Sequence, residues 1–227
     1  MTTLQIYAIL TPRATYYSLT YHTMDTFNVS RSAFMSGICI GIAGFGFLAL
    51  KADGNFLAGC IIFAFALLAV VNYKLALYTG TAGFIKKNEF GYLGLVLLGN
   101  IIGCATLSLL TRLSPLPIQE TAQALLESRL ALGIVNGSIL SVACGFIMTT
   151  AVTFARKGNM HLLFFGVPLF IVCGFPHCIA DAFFYSCVPL DFWAAHLGEI
   201  LLFYVSIVIG NFVGCNFYRG IMGANPS

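Results

Sequence analysis

Two interruptions of long apolar runs contain the residues of this chain that are most suited to chemistry. The first, NYKLALYTGTAG, contains Lys74 and Thr79, and the second, GFPHCIADA, contains His177 and Asp181. An imidazole with an unperturbed pKa of about 6.5 exchanges a proton near neutral pH, and a threonine hydroxyl both donates and accepts hydrogen bonds. These side chains therefore predict contact with a small polar solute or a proton, inside segments that otherwise suit lipid.

The composition predicts a helical membrane protein. Of the 227 residues, 59% are hydrophobic and 8% are charged, whereas a soluble domain has roughly 25% charged residues. The apolar residues fall into blocks long enough to cross a hydrocarbon core of about 30 Å as helices. We therefore expect an all-α protein with six transmembrane helices and no separate soluble domain. The six blocks are 31–50, 56–85, 90–110, 130–155, 160–188 and 196–218.

The second and fifth blocks differ from the others because they are longer and contain the two interruptions. Each is about 30 residues long, beyond the ~20 that one straight span needs. In hydrocarbon an unsatisfied backbone group costs several kcal/mol, so a broken helix persists only where protein or a water-lined cavity surrounds it. Helices 2 and 5 are therefore predicted to be broken and to line a pore.

A short repeated element links the two halves of the chain. GNIIGC at 99–104 and GNFVGC at 210–215 match in glycine, asparagine, glycine and cysteine. The order of span, broken span and span with this element thus occurs twice, and an odd number of spans requires the second repeat to be inverted. The glycines allow close helix packing. Asn100 and Asn211 are expected to hydrogen-bond backbone groups freed at the breaks, because a buried amide needs partners.

The distribution of basic residues predicts that both termini lie in the cytoplasm, by the positive-inside rule. We expect a cytoplasmic or interfacial segment at 1–30, a channel domain at 31–218 and a cytoplasmic tail at 219–227. PLPIQETAQALLES, at 115–128, predicts a short interfacial helix on the outer side. One side has Arg13, Arg31, Lys86, Lys87, Arg156, Lys157 and Arg219, and the other has Lys51, Arg112 and Arg129.

The motifs at the breaks resemble those of the formate–nitrite transporter family. The resemblance rests on LALYTGT at 75–81 and GFPHCIA at 174–180, with Gly-Asn-x-x-Gly in the third and sixth spans, and covers about 30–218. It implies an aquaporin-like fold, a homopentamer with one pore per protomer, and a central histidine that faces a threonine loop between two apolar constrictions.

Carried onto this chain, the resemblance implies roles for eight side chains. His177 and Thr79 become the centre of the pore, as substrate site or proton relay. The other roles are a cytoplasmic-side constriction of Leu67, Leu77 and Tyr78, an outer constriction of Phe63 and Phe170, and attraction of anions into the outer vestibule by Arg129.

The chain departs from the family pattern at three positions. Tyr78 stands where phenylalanine is common, Pro176 replaces an acidic residue, and Asp181 stands where asparagine is usual. A carboxylate near the centre repels anions unless it is protonated or paired. Lys74 is the candidate partner of Asp181, with the alternative that the two charges reach separate vestibules.

The predicted function is passage of small monovalent anions of weak acids, such as formate, nitrite, hydrosulfide or short monocarboxylates, across a cell membrane. A bare anion pays several kcal/mol to cross an apolar constriction. Desolvation raises the pKa of an acid, so the neutral form crosses more easily. We therefore expect proton-linked passage, with the anion, a proton and lipid as partners and neither cofactor, metal nor nucleic acid.

Three other classes of protein fit the sequence less well. A neutral-solute channel of aquaporin type has paired Asn-Pro-Ala boxes, whereas the only Asn-Pro here is Asn225-Pro226. A membrane enzyme using His177, Cys178 and Asp181 lacks a second polar cluster in the loops. A purely structural membrane protein has no need of two broken helices.

Overall fold

The computed structural model describes residues 25–223, and its regular elements in that range are all helices. The expected segments at 1–24 and 224–227 lie outside the described residues. The prediction of an all-α chain is confirmed for the part that is described. The helices are α1 (Thr26–Ala52), α2 (Phe56–Ile62), α3 (Ala64–Asn72), α4 (Tyr78–Thr81), α5 (Phe90–Ser108), α6 (Ile118–Ala131), α7 (Gly133–Arg156), α8 (His161–Val172), α9 (Cys178–Cys187) and α10 (Leu190–Met222), with a 3₁₀ turn at Leu109–Leu113.

Four of the described helical segments are long and apolar enough to cross a membrane: α1, α5 with its 3₁₀ turn, α7 and α10. They correspond to the first, third, fourth and sixth predicted blocks. The sixth begins earlier than predicted, at Leu190, and its backbone leaves helical geometry at His196 (φ −122°). The second and fifth blocks are interrupted, as α2, α3 and α4 and as α8 and α9.

The two interruptions begin in the same way. After α3 the backbone turns left-handed at Lys74 (φ 56°), and after α8 it does so at Gly174 (φ 68°). Glycine adopts this conformation without strain, whereas a side chain raises its energy by roughly 1–2 kcal/mol. In both places the following N–H caps the helix by returning to a carbonyl five residues back. These bonds are Leu75 N to Val70 O and Phe175 N to Phe170 O, each 2.9 Å.

The two interruptions also end alike. Leu77 (φ −117°, ψ 135°) is extended and precedes α4, and His177 (φ −118°, ψ 115°) is extended and precedes α9. Each break is therefore a left-handed turn followed by an extended strand-like residue and a new helix. Because the backbones match at an offset of about 100 residues, the side chains at Leu77 and His177 occupy corresponding places.

Glycines allow the long helices to pack with their backbones in contact. A Cβ on Gly103 of α5 would lie 2.2 Å from the Phe34 carbonyl oxygen of α1. A Cβ on Gly214 of α10 would lie 2.0 Å from the Val142 carbonyl oxygen of α7. Both separations are too short for any side chain, so the repeated glycines fix the spacing of two helix pairs, as small residues do in membrane proteins.

The helix predicted at 115–128 is present as α6, Ile118–Ala131. It buries Ile118, Ala122, Leu125 and Leu126 and packs on α9 and α1. This helix therefore contributes one apolar face to the core, and its last turn brings Arg129 to the second break.

Candidate functional site

His177 is the N-cap residue of α9, and its hydrogen bonds fix the position of its proton. The backbone N–H of Ala180 donates to Nδ1 at 3.1 Å. A ring nitrogen that accepts carries no hydrogen, so in the neutral ring Nε2 carries it. Nε2 lies 3.2 Å from Oγ1 of Thr79, and both residues are buried. The imidazole thus presents an N–H to the hydroxyl of the other break.

Thr79 lies in α4 and is held through its backbone. Its carbonyl oxygen accepts a hydrogen bond from Thr149 Oγ1 of α7 (2.9 Å) and from Cys215 Sγ of α10 (3.4 Å). The side-chain hydroxyl is therefore held facing His177. Neither Thr149 nor Cys215 is predicted as a site residue from the sequence. The cysteine that ends both copies of the repeated element is the sequence signal that points to Cys215.

Asn100 of α5 joins the first break to α1. Its Oδ1 accepts from the N–H of Tyr78 at 2.9 Å. Its Nδ2 donates to the carbonyls of Ala76 (2.9 Å) and Ala33 (2.8 Å). The amide therefore hydrogen-bonds the two backbone groups on either side of Leu77 that have no partner within a helix.

Asn211 of α10 does the same for the second break. Its Oδ1 accepts from the N–H of Cys178 at 2.8 Å. Its Nδ2 donates to the carbonyls of Pro176 (3.0 Å) and Ser141 (2.8 Å). The bonds flank His177, so this amide sets the position of the imidazole's backbone.

The two phenylalanines predicted as the outer constriction lie in contact. The rings of Phe63 and Phe170 meet edge to face with centroids 6.3 Å apart. The Phe170 ring also lies 5.4 Å from the imidazole of His177, tilted by 30°. An apolar aromatic pair therefore adjoins the histidine directly.

A cavity of about 150 Å³, the Arg129 cavity, opens beside this pair and includes His177 in its wall. The imidazole of His177 therefore forms part of a cavity wall together with polar and aromatic side chains. It is lined by Phe47, Lys51, Phe56, Phe63, Leu125, Ser128, Arg129, Phe170, Ile171, Val172, Gly174, His177, Ala180, Asp181 and Phe184.

Asp181 pairs with Arg129, which corrects the suggested pairing with Lys74. Arg129 Nε lies 3.4 Å from Asp181 Oδ1, and the guanidinium also donates to the Gly174 carbonyl. The other carboxylate oxygen accepts from the backbone N–H of His177 at 3.1 Å. Lys74 is exposed, whereas Asp181 is fully buried. Asp181 therefore balances the charge of Arg129, the residue to which the resemblance assigns attraction of anions.

The residues predicted as the cytoplasmic-side constriction are buried near the first break. Leu67 and Leu77 are fully buried, and Tyr78 is nearly so. The Tyr78 hydroxyl donates to the Val208 carbonyl at 3.3 Å, which gives the extra hydroxyl of this position a partner.

A second cavity, the Lys74 cavity of about 280 Å³, lies between the end of α3 and the end of α7. Lys74 and Arg156 are the basic residues in the wall of this cavity, so each break lies beside a cavity with basic residues in its wall. Within residues 25–223, no three His, Cys, Asp or Glu side chains are grouped as a metal site. The Lys74 cavity is lined by Val71, Asn72, Lys74, Ala155, Arg156, Gly158 and Met160.

Comparison with known proteins identifies the arrangement. A structure described as a pentameric formate channel with formate bound superimposes with a TM-score of 0.72 at 22% identity, over 87% of this chain and 96% of that chain. A structure described as an FNT family ion channel superimposes with a TM-score of 0.80 at 18% identity, over 99% of both chains. A search of curated proteins found no match.

These likenesses show that the fold is that of known channels. The family model described as formate/nitrite transporter matches residues 13–223, which includes both breaks, both asparagines and the histidine. Its match extends over far more than half of the sequence. The chain therefore belongs to the formate/nitrite transporter family, whose members are membrane transporters and channels.

Proposed function

We propose that the chain forms a pore for small monovalent anions of weak acids, with formate, nitrite, hydrosulfide and short monocarboxylates as the candidate class. The observation that carries this proposal is the Nε2–H of His177 facing the Thr79 hydroxyl where the two breaks meet. An anion that replaced this direct contact would meet an N–H and an O–H donor in a buried site, where such bonds are strong. The fold likeness to a formate channel with formate bound supports the same class.

The pore is proposed to run from the Arg129 cavity past Phe63 and Phe170 to the centre, and from there past the first break to the Lys74 cavity. Phe63 and Phe170 would form the constriction on one side, since their rings adjoin His177. On the other side the constriction would be formed by the buried Leu67, Leu77 and Tyr78.

Passage is proposed to be linked to a proton. Apolar constrictions on both sides of one polar point penalise an ion far more than a neutral acid. Donation from His177 Nε2 stabilises the anion while the fall in dielectric raises its proton affinity. For His177 to relay the proton itself, Nδ1 must first give up the Ala180 N–H. The hydrogen-bond donor role therefore suits the observed geometry better than the relay role.

The remaining features of the assembly are proposals as well. We propose two inverted three-helix repeats in an aquaporin-like arrangement, supported by the matching breaks and by the equivalent bonds of Asn100 and Asn211. The channel domain would be 31–218, with cytoplasmic segments on either side in a cell membrane. A homopentamer is proposed because a channel of the same fold is pentameric.

The experiment that tests the function is formate uptake into proteoliposomes at several outside pH values, with the internal pH followed by a dye. We expect the wild type to take up formate faster at lower outside pH and to acidify the lumen. His177→Phe should abolish this uptake, and His161→Phe, which alters an exposed histidine, should preserve it. Uptake by the wild type no faster than by empty liposomes, for formate, nitrite and hydrosulfide alike, would refute the proposal.

A further inference from the structure

The Arg129 cavity has one more positive than negative charge in its wall. Lys51 and Arg129 are its basic residues and Asp181 is its acidic residue. Asp181 is fully buried and lies 3.4 Å from Arg129 Nε, so these two charges largely cancel outside their immediate surroundings. The field that an approaching anion meets in this cavity is therefore set by Lys51.

Lys51 is held in the wall of the cavity by aromatic rings rather than by a carboxylate. It lies in the last turn of α1, and its Nζ is 6.0 Å from the ring centroid of Phe47 and 5.7 Å from that of Phe56. Contacts with aromatic faces hold an ammonium group without neutralising its charge. Among residues 25–223, no carboxylate lies within ion-pair distance of Lys51. The nearest acidic residue in sequence, Asp53, accepts a hydrogen bond from Asn55.

The rings that hold Lys51 continue to the histidine. Phe47 contacts Phe63 (centroids 6.3 Å apart), Phe63 contacts Phe170 (6.3 Å), and Phe170 contacts His177 (5.4 Å). One wall of the cavity thus consists of aromatic rings from the ammonium group to the imidazole. An anion held at Lys51 is separated from the Nε2–H donor only by the proposed outer constriction.

We propose that Lys51 is the residue that captures the substrate anion in the Arg129 cavity, before it reaches His177. This inference rests on the proposed function and adds the binding residue on this side of the pore. A single unbalanced positive charge raises the local concentration of anions at the constriction. Arg129 is a positioning residue, which fixes the second break through the Gly174 carbonyl and Asp181.

The test is the concentration dependence of formate uptake for Lys51→Met, Lys51→Arg and Lys87→Met. Lys87 is exposed, so its replacement removes the same charge away from the cavity. We expect Lys51→Met to raise the half-saturating formate concentration about fivefold, which is ~1 kcal/mol and the size expected for one charge in a partly solvated site. The maximal rate should stay within about twofold of wild type, because a capture site contributes uniform binding.

Salt and charge conservation give two further readouts. Lys51 is only partly buried, so salt screens its charge in part. The half-saturating concentration of the wild type should therefore rise with ionic strength, and that of Lys51→Met should rise less. Lys51→Arg should behave like the wild type, as should Lys87→Met.

An unchanged half-saturating concentration in Lys51→Met, with wild-type uptake intact, would overturn this inference and leave the proposed function standing. Equal loss of maximal rate in Lys51→Met and Lys51→Arg would also overturn it, since that result indicates a packing role. Absence of uptake in the wild type for all three anions would overturn the proposed function and this inference with it.

Discussion

Replacing Asn100 or Asn211 with leucine tests whether these two amides hold the broken helices in place. Each side chain is fully buried and makes three hydrogen bonds of 2.8–3.0 Å to backbone groups. Leucine has a similar size and suits an apolar helix, so the substitution removes the polar atoms with little change in packing volume. In Asn211→Leu the groups left without a partner are the N–H of Cys178 and the carbonyls of Pro176 and Ser141.

The number of bonds sets the magnitude of the loss. Hydrogen bonds between helices in membrane proteins contribute ~0.6 kcal/mol on average and up to ~1.7 kcal/mol. Three of them give a loss of about 2–5 kcal/mol in the free energy of unfolding, if they are additive. A buried group left unsatisfied costs roughly 1–3 kcal/mol, which favours the upper half of this range. A packing role alone would give less than about 1.5 kcal/mol, as for a volume-conserving exchange.

The assay is denaturant unfolding in detergent followed by the fluorescence of Trp193. This residue is the single tryptophan of the sequence, and its Nε1 donates to the Tyr185 carbonyl in α9 at 2.8 Å, so it reports on the segment that follows the second break. Asn136→Leu is the control, because Asn136 is exposed and its side chain donates only to the carbonyl of Leu132, the N-cap residue of its own helix. If Asn100→Leu and Asn211→Leu lose no more stability than Asn136→Leu, the amides do not hold the breaks.

Three further predictions concern the site and its frame. Thr79→Val should reduce formate uptake about tenfold, because the buried N–H donor of His177 loses its partner, which costs ~1–3 kcal/mol. Thr79→Ser keeps the hydroxyl and should restore uptake, so equal rates in the two variants would contradict this prediction. Asp181→Asn should lower the half-saturating formate concentration, because it leaves the charge of Arg129 unbalanced in the cavity, and a rise would show that the pair does not set the field. Gly214→Ala should destabilise the fold by ~1–3 kcal/mol through overpacking. Gly94→Ala is the control, because its added Cβ meets nothing within 4 Å, and it should be neutral or stabilising by ~0.5–1 kcal/mol. Similar melting temperatures for the two variants would contradict the close contact of α7 and α10.

The sequence predicted the helical class and the location of both breaks because these depend on local chemistry. The residue types along the chain directly show apolar blocks long enough to span a membrane. They also show the helix-breaking residues inside two of these blocks. The structure places the left-handed turns at Lys74 and Gly174, inside the predicted interruptions. The left-handed conformation of a lysine could not be predicted, because no local preference favours it.

The partners within the site could not be predicted because they come from segments far apart in sequence. The sequence suggests Lys74 as the partner of Asp181 because it is the basic residue of the other break. The structure supplies Arg129 instead, from the last turn of a helix whose apolar residues Leu125 and Leu126 bury against the core. Packing of a short amphipathic helix decides this ion pair, and packing leaves little trace in a single sequence.

The two breaks have the same backbone conformation but carry different side chains at corresponding positions. Leu77 occupies the place in the first break that His177 occupies in the second, and Thr79 corresponds to Ile179. The centre therefore has one imidazole and one hydroxyl, in contact with each other, rather than two symmetric polar pairs. A single polar point would stabilise an anion in one place only and would leave the proposed apolar constrictions on both sides as barriers to an ion. This asymmetry favours the proposed proton-linked route, because a neutral acid crosses those barriers at much lower cost than an ion.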